Sequence, residues 1–155
     1  METNVNTSPR FLLRVPSRFR DAMLMNFQNT LPNECCGLLA GSLVEAGTIG
    51  SVSEHYLLTN ELQQPDEFAS DPRDMLAAVK DMRTKKIDIL AVYHSHPTST
   101  PLPSRRDRER NYSSHVVNLI IGLVADQVAV RGWWLTETEA VEAAWEIFDA
   151  SQGAE

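Results

Sequence analysis

The stretch that decides the fold is IDILAVYHSHPTSTPLPSRRD, Ile87 to Asp107. Its first third, Ile87 to Tyr93, is nearly all apolar, as expected of a central strand covered on both faces. Two histidines follow, one residue apart. Residues two apart on an extended chain point to the same side, so His94 and His96 can face a common point just past the strand. The prolines of PTSTPLP limit the conformations of the segment that follows. Ser104 is placed to cap a short helix, and Asp107, three residues on, lies on the same helix face. A strand thus delivers two imidazoles, and a loop from His94 to Pro103 turns back so that a helix can present a carboxylate.

Working outward, Asp71-Pro72 is a helix start, an N-cap followed by proline at the first helical position. The helix RDMLAAVKDMRTKK that it opens is amphipathic and basic at its C-terminal end. Further upstream, Phe11 to Val15 reads as a short strand. Ser17 is placed as N-cap of a helix with Phe19, Met23, Leu24, Phe27 and Leu31 at helical spacing, ended by Pro32. Cys35 to Leu43 reads as a buried strand and Thr48 to Leu58 as its partner. The loop from Thr59 to Ser70 is long, and long ordered loops are often functional. Downstream, Val116 to Val124 and Val128 to Leu135 read as further central strands, with Trp133 in the core and Trp134 at its rim. Residues 141–148 alternate like a strand, although one helix face also fits them; strand is the expectation taken. No repeat or internal linker interrupts the pattern. The expected organisation is one α/β domain over residues 10–149, a mixed sheet flanked by helices, with a flexible N-terminus at 1–9 and a flexible tail at 150–155.

The bulk properties narrow the function. The 155 residues are 43% hydrophobic and 23% charged, with a net charge of −7. That suits a globular domain with a real core and argues against nucleic-acid or anionic-membrane binding, which needs a basic footprint. The arginines of SRRDRER are interleaved with acids, so the segment reads as a solvated helix face or as a docking patch for an acidic partner. No apolar run reaches membrane-spanning length, and METNVNTSPR lacks the order of a signal peptide. A cytoplasmic location is therefore expected. Cys35 and Cys36 are adjacent, which disfavours their pairing with each other; they read as small buried hydrophobes in a reducing setting.

The chemistry follows from the opening stretch. Imidazole nitrogen and carboxylate oxygen bind zinc at about 2 Å, and a His/His/Asp set leaves a fourth tetrahedral position open, the mark of a catalytic site. Water on such a zinc has a pKa near 7. The proton must go to a nearby base, and Glu34 in PNECCGLLAG is the candidate, because a carboxylate at the mouth of an apolar strand is an odd choice for stability. The Ser104 hydroxyl can cap the helix and also donate to an oxyanion. Metal-assisted hydrolysis of an amide is the reaction these parts make. His55 and His115 read as ordinary hydrogen-bonded histidines.

Glu34, then His94-Ser95-His96-Pro97, with seven residues between His96 and Ser104 and two between Ser104 and Asp107, resembles the signature of the JAMM (MPN+) zinc metalloproteases. The resemblance implies a cytidine-deaminase-like fold and hydrolysis of peptide or isopeptide bonds after the Gly-Gly tail of ubiquitin-like proteins. Carried over by position, His94, His96 and Asp107 would bind Zn2+, Glu34 would be general base and acid, and Ser104 would steady the oxyanion. The chain is most similar to the compact prokaryotic type, some of which process ubiquitin-like sulfur carrier proteins. The expected partner is thus a carrier with a Gly-Gly C-terminus, its tail extended beside a strand edge, with the Thr59 to Ser70 loop as one wall of the groove. Two rivals stand beside this reading: a non-catalytic zinc module that binds such carriers, and a zinc nucleobase deaminase. The latter needs H-x-E and P-C-x-x-C, which the chain lacks.

Overall fold

In the computed structural model, which describes residues 10–149, the apolar run before the histidines is β4 (Asp88–Ser95), at the centre of an eight-stranded sheet. The flexible termini expected at 1–9 and 150–155 lie outside the described residues. β4 is flanked by β2 (Cys36–Val44), antiparallel to it, and by β5 (Val117–Val124), parallel to it. A parallel neighbour requires a crossover, and here the crossover is the proline loop and α3 (Arg105–Glu109). β3 (Ile49–Leu58) pairs with β2 and then β1 (Leu12–Pro16), while β6 (Gln127–Leu135) pairs with β5. The mixed sheet between helices is the α/β architecture expected.

The last segment is extended, as read, but it forms two strands. β7 (Ala140–Glu142) pairs with β6 at one edge of the sheet, and β8 (Trp145–Phe148) pairs with β1 at the other. Only Ala143 and Ala144 separate them. The three Cα steps from Glu142 to Trp145 span at most about 11 Å, so the two edges are drawn together and the sheet curls on itself. Closure of this kind also blunts exposed strand edges. Phe11 and Trp134 meet across the closure, ring centroids 5.1 Å apart and edge to face. Trp134 is therefore core and not rim; it is 6% exposed. It packs with Leu13, Leu39, Tyr93 and Leu119, and with Met23 and Phe27 of α1 (Ser17–Thr30).

The opposite face of the sheet is covered by α2 (Pro72–Lys85), whose Ala78 and Met82 pack on Leu38, Ala40 and Leu58. Burial of each large side chain there contributes about 1.5–3 kcal/mol. Asp71 caps α2 as expected, accepting from Arg73 N–H, and Lys86 closes it in the left-handed conformation, φ 58°. The cap of α1 differs from the expectation: Pro16 holds the N-cap position and Ser17 is already helical, with no side-chain cap bond. Proline's fixed φ supplies a suitable entry without a hydroxyl. Among the described residues no helix is long and apolar enough to cross a membrane.

Candidate metal centre

β4 does not stop at Tyr93. His94 pairs with Cys36 on one side and Ile120 on the other, and Ser95 pairs with Ile121, so the first histidine sits on the sheet and not on the loop. Neighbours on both sides supply ladder bonds that a chain read alone does not reveal. His94 is 3% exposed. Ser95, turned to the other face, has a tethering role that the sequence reading missed. Its Oγ accepts from Cys35 N–H at 2.9 Å, and its own N–H donates to Cys35 O at 3.1 Å. The segment carrying Glu34 is thereby fastened beside the histidines.

The loop is held just as firmly. His96 N–H donates to Ile121 O at 2.7 Å, Leu123 N–H to Ser99 O at 2.8 Å, and Trp133 Nε1–H to Pro101 O at 3.0 Å. Gly122 lets the loop lie flat on β5, because a Cβ there would come 2.6 Å from Ser99 O. The chain then enters α3 through a capping box. Ser104 Oγ accepts from Asp107 N–H at 3.1 Å, and Asp107 Oδ2 accepts from Ser104 N–H at 2.8 Å. The cap that starts the helix thus also aims the carboxylate.

Three side chains converge. His94 Nε2 and His96 Nε2 are 3.2 Å apart, and Asp107 lies 3.1 Å from each, through Oδ1 and Oδ2 respectively. Tetrahedral ligands at about 2.0–2.1 Å from one zinc stand about 3.3 Å from one another, so the triangle has the size of a zinc site. His96 Nδ1–H donates to Thr100 O at 3.0 Å, which leaves Nε2 as the lone pair and orients the ring, the usual outer support of a metal-bound imidazole. Three potential acceptors facing one point repel unless a proton or cation sits among them. Burial pushes the Asp107 carboxyl up, but the bonds and charge of His94 and His96 hold it well below the usual carboxylate range. Burial lowers His96, yet Asp107 and the Thr100 carbonyl leave it raised overall. The donor set fits zinc, and it is the group of metal-binding geometry found among the described residues.

Glu34, His94, His96, Ser104 and Asp107 all line one cleft of about 760 Å³. Glu34 is 4% exposed. Burial raises its carboxyl to about 7, with His96 and Arg106 pulling down and Asp107 and Asp66 pushing up. Of the 59–70 loop expected as a wall, residues 65–70 line the cleft, and its key member was not legible. Phe68 stacks on His94, centroids 4.9 Å apart and 21° between planes. Glu67 reaches across to Arg110 of the α3 cap at 2.9 Å, and Arg106 Nη1 donates to Asp66 O at 3.2 Å. The arginine segment is thus partly an internal brace of the cleft. His55 lies elsewhere, against Tyr93. Cys35 and Cys36 are free and buried, their thiols raised by burial to about 11 and 12, and neither belongs to the His94–His96–Asp107 group.

A curled mixed sheet with this centre at the end of a middle strand defines a JAB-type domain. The family described as prokaryotic homologs of the JAB domain matches residues 16–136, and the chain belongs to it. The chain is 28% identical over 108 residues to a desampylase of Pyrococcus furiosus, covering 70% of this chain and 71% of that one. It is 31% identical over 97 residues to a probable TtuB-protein conjugate cleaving protease of Thermus thermophilus, covering 62% and 61%. A Desulfitobacterium hafniense protein of known solution structure superposes with a TM-score of 0.78 at 30% identity, covering 89% of this chain and 94% of that one.

Proposed function

We propose that the protein is a zinc-dependent hydrolase that cleaves the peptide or isopeptide bond after the C-terminal Gly-Gly of a ubiquitin-like or sulfur carrier protein. The observation that carries this is the convergence of His94, His96 and Asp107 at 3.1–3.2 Å in a cleft that Glu34 shares. Family membership and relatives named for conjugate cleavage support it.

His94, His96 and Asp107 would hold the zinc. When bound, zinc supplies Lewis acidity, lowering the pKa of a water towards about 7 and polarising a carbonyl. Glu34 takes the proton of the attacking water and returns it to the departing amine; a buried carboxyl near neutrality suits both tasks. Ser104 Oγ is an acceptor in the helix cap, so its O–H remains free to donate to the oxyanion. The carrier tail lies extended along the cleft, held by main-chain bonds, because glycines offer no side chains. The setting is cytoplasmic in this reading.

The test is intact-mass spectrometry of zinc-loaded protein mixed with a small ubiquitin-like carrier bearing an adduct after Gly-Gly. Loss of the adduct's mass, absent with Glu34→Gln, is the expected result. Full zinc occupancy with no cleavage of carrier adducts would favour a binding module instead.

A further inference from the structure

We infer that Asn60 is a positioning residue that ties the wall of the cleft to the backbone of Glu34. The inference rests on the proposed role of Glu34 as the base. Asn60 stands just after β3, where the long loop begins, and is 6% exposed. A carboxamide has two N–H donors and an oxygen with two lone pairs, and here all are engaged. Nδ2 donates to Glu34 O and to Glu67 O, both at 3.1 Å. Oδ1 accepts from Leu62 N–H at 3.0 Å and Ala69 N–H at 3.1 Å.

The consequence lies in what these bonds join. The loop closes on itself through the Asn60–Ser70 bridge and through Glu61 N–H to Ala69 O at 2.8 Å. Glu34 N–H donates into the same loop, to Gln64 O at 2.8 Å. Glu34 precedes β2, whose ladders begin only at Cys36, so no strand partner fixes it. Its N–H is held by Gln64 and its C=O by Asn60. The amide that holds Glu34 also holds the carbonyl of Glu67, beside the Phe68 ring that packs on His94. The base and the wall against which a substrate would press are one body, joined by the Glu34–Gln64 main-chain bond and by the Asn60 side chain. A base must stay within hydrogen-bond reach of its proton, and small misplacements in an active site are costly in rate.

Asn60→Asp separates this role from mere loop closure. It keeps the size and both acceptor bonds of Oδ1, and it loses the donors to Glu34 O and Glu67 O. The zinc-loaded variant and parent are compared on a peptide ending in Gly-Gly joined by an isopeptide bond to lysine, with zinc per chain measured alongside. Backbone hydrogen exchange of the metal-free proteins is read in parallel. The expected result is a kcat lower by about tenfold with KM within about twofold, unchanged zinc content, and faster exchange confined to Glu34 and the loop. An unchanged kcat overturns the inference, as does faster exchange spread evenly through β2, which marks general destabilisation. If the parent itself cleaves nothing, the hydrolase reading fails, and the exchange data still decide the tether: unaltered exchange at Glu34 overturns it, and local loosening sustains it.

Discussion

Tyr93 and His94 are neighbours on β4 and face opposite ways, and the two faces treat polar groups differently. On the inner face, Tyr93 Oη accepts from Asn26 Nδ2 at 2.9 Å and stands 2.6 Å from His55 Nε2. Asn26 Nδ2 also donates to Cys36 O at 3.1 Å, and its Oδ1 accepts from Thr30 Oγ1 at 3.1 Å. Burial holds His55 below its ordinary value, so its neutral Nε2 accepts the phenol proton. Every donor there meets an acceptor. On the outer face, His94, His96 and Asp107 present lone pairs to one another. A closed network stabilises the fold, whereas an open one asks for a ligand.

The largest effect expected from breaking this contrast is in Asp107→Ala. It should lose zinc and all hydrolysis, read as zinc per chain by elemental analysis. The parent should gain about 4 kcal/mol of stability at zinc a thousandfold above Kd, and the variant none; a variant that still binds one zinc tightly sinks the ligand assignment. Glu34→Gln comes next. Its hydrolysis should fall by about 10²–10⁴-fold while zinc stays bound. The same variant has a second signature in the metal-free protein. The Glu34 carboxyl has an ordinary value of 4.5 and a native one of about 7, so the native state binds the proton more tightly than the unfolded chain. Native stability is lost as pH rises from 4.5 to 7. Glu34→Gln should therefore be the more stable protein at pH 8, with no advantage below pH 4.5, in urea melts at the two pH values.

Tyr93→Phe sharpens the comparison from the other face. It should cost about 1–3 kcal/mol of stability, since Asn26 and His55 lose a partner, with zinc content unaltered; loss of zinc would mean the two faces are coupled. The smallest effect belongs to Arg110→Ala. Its pair with Glu67 is solvent-exposed, so stability should move by less than about 1 kcal/mol in thermal melts, and a larger loss would make the pair a structural strut of the wall.

The convergence of His94, His96 and Asp107 was legible because the geometry of the opening stretch is local. His94 and His96 share a side through the period of an extended chain, and Ser104 and Asp107 share a turn. The Asp71-Pro72 helix start was legible for the same reason. Ser17 misled, since a serine before a helical pattern suits the cap or the first turn equally, and Pro16 already supplied the entry. Trp134 misled because inner and outer faces of a strand cannot be told apart when both are covered. Phe68, the one aromatic in a polar loop, offered a faint signal; Asn60 offered none.

The sequence by itself determined the strand and helix types, the Asp71 and Ser104 caps, and the three side chains that meet around one point, because each depends on contacts within a few turns of chain. Only the tertiary structure decided that β7 and β8 would be split to opposite edges and close the sheet. It alone brought Glu34 to histidines 60 residues away through Ser95 and Cys35, and wrapped the loop of Asn60 around it. Those contacts are between segments remote in sequence, and their pairing is chosen by which arrangement buries the core and leaves no backbone group unmet.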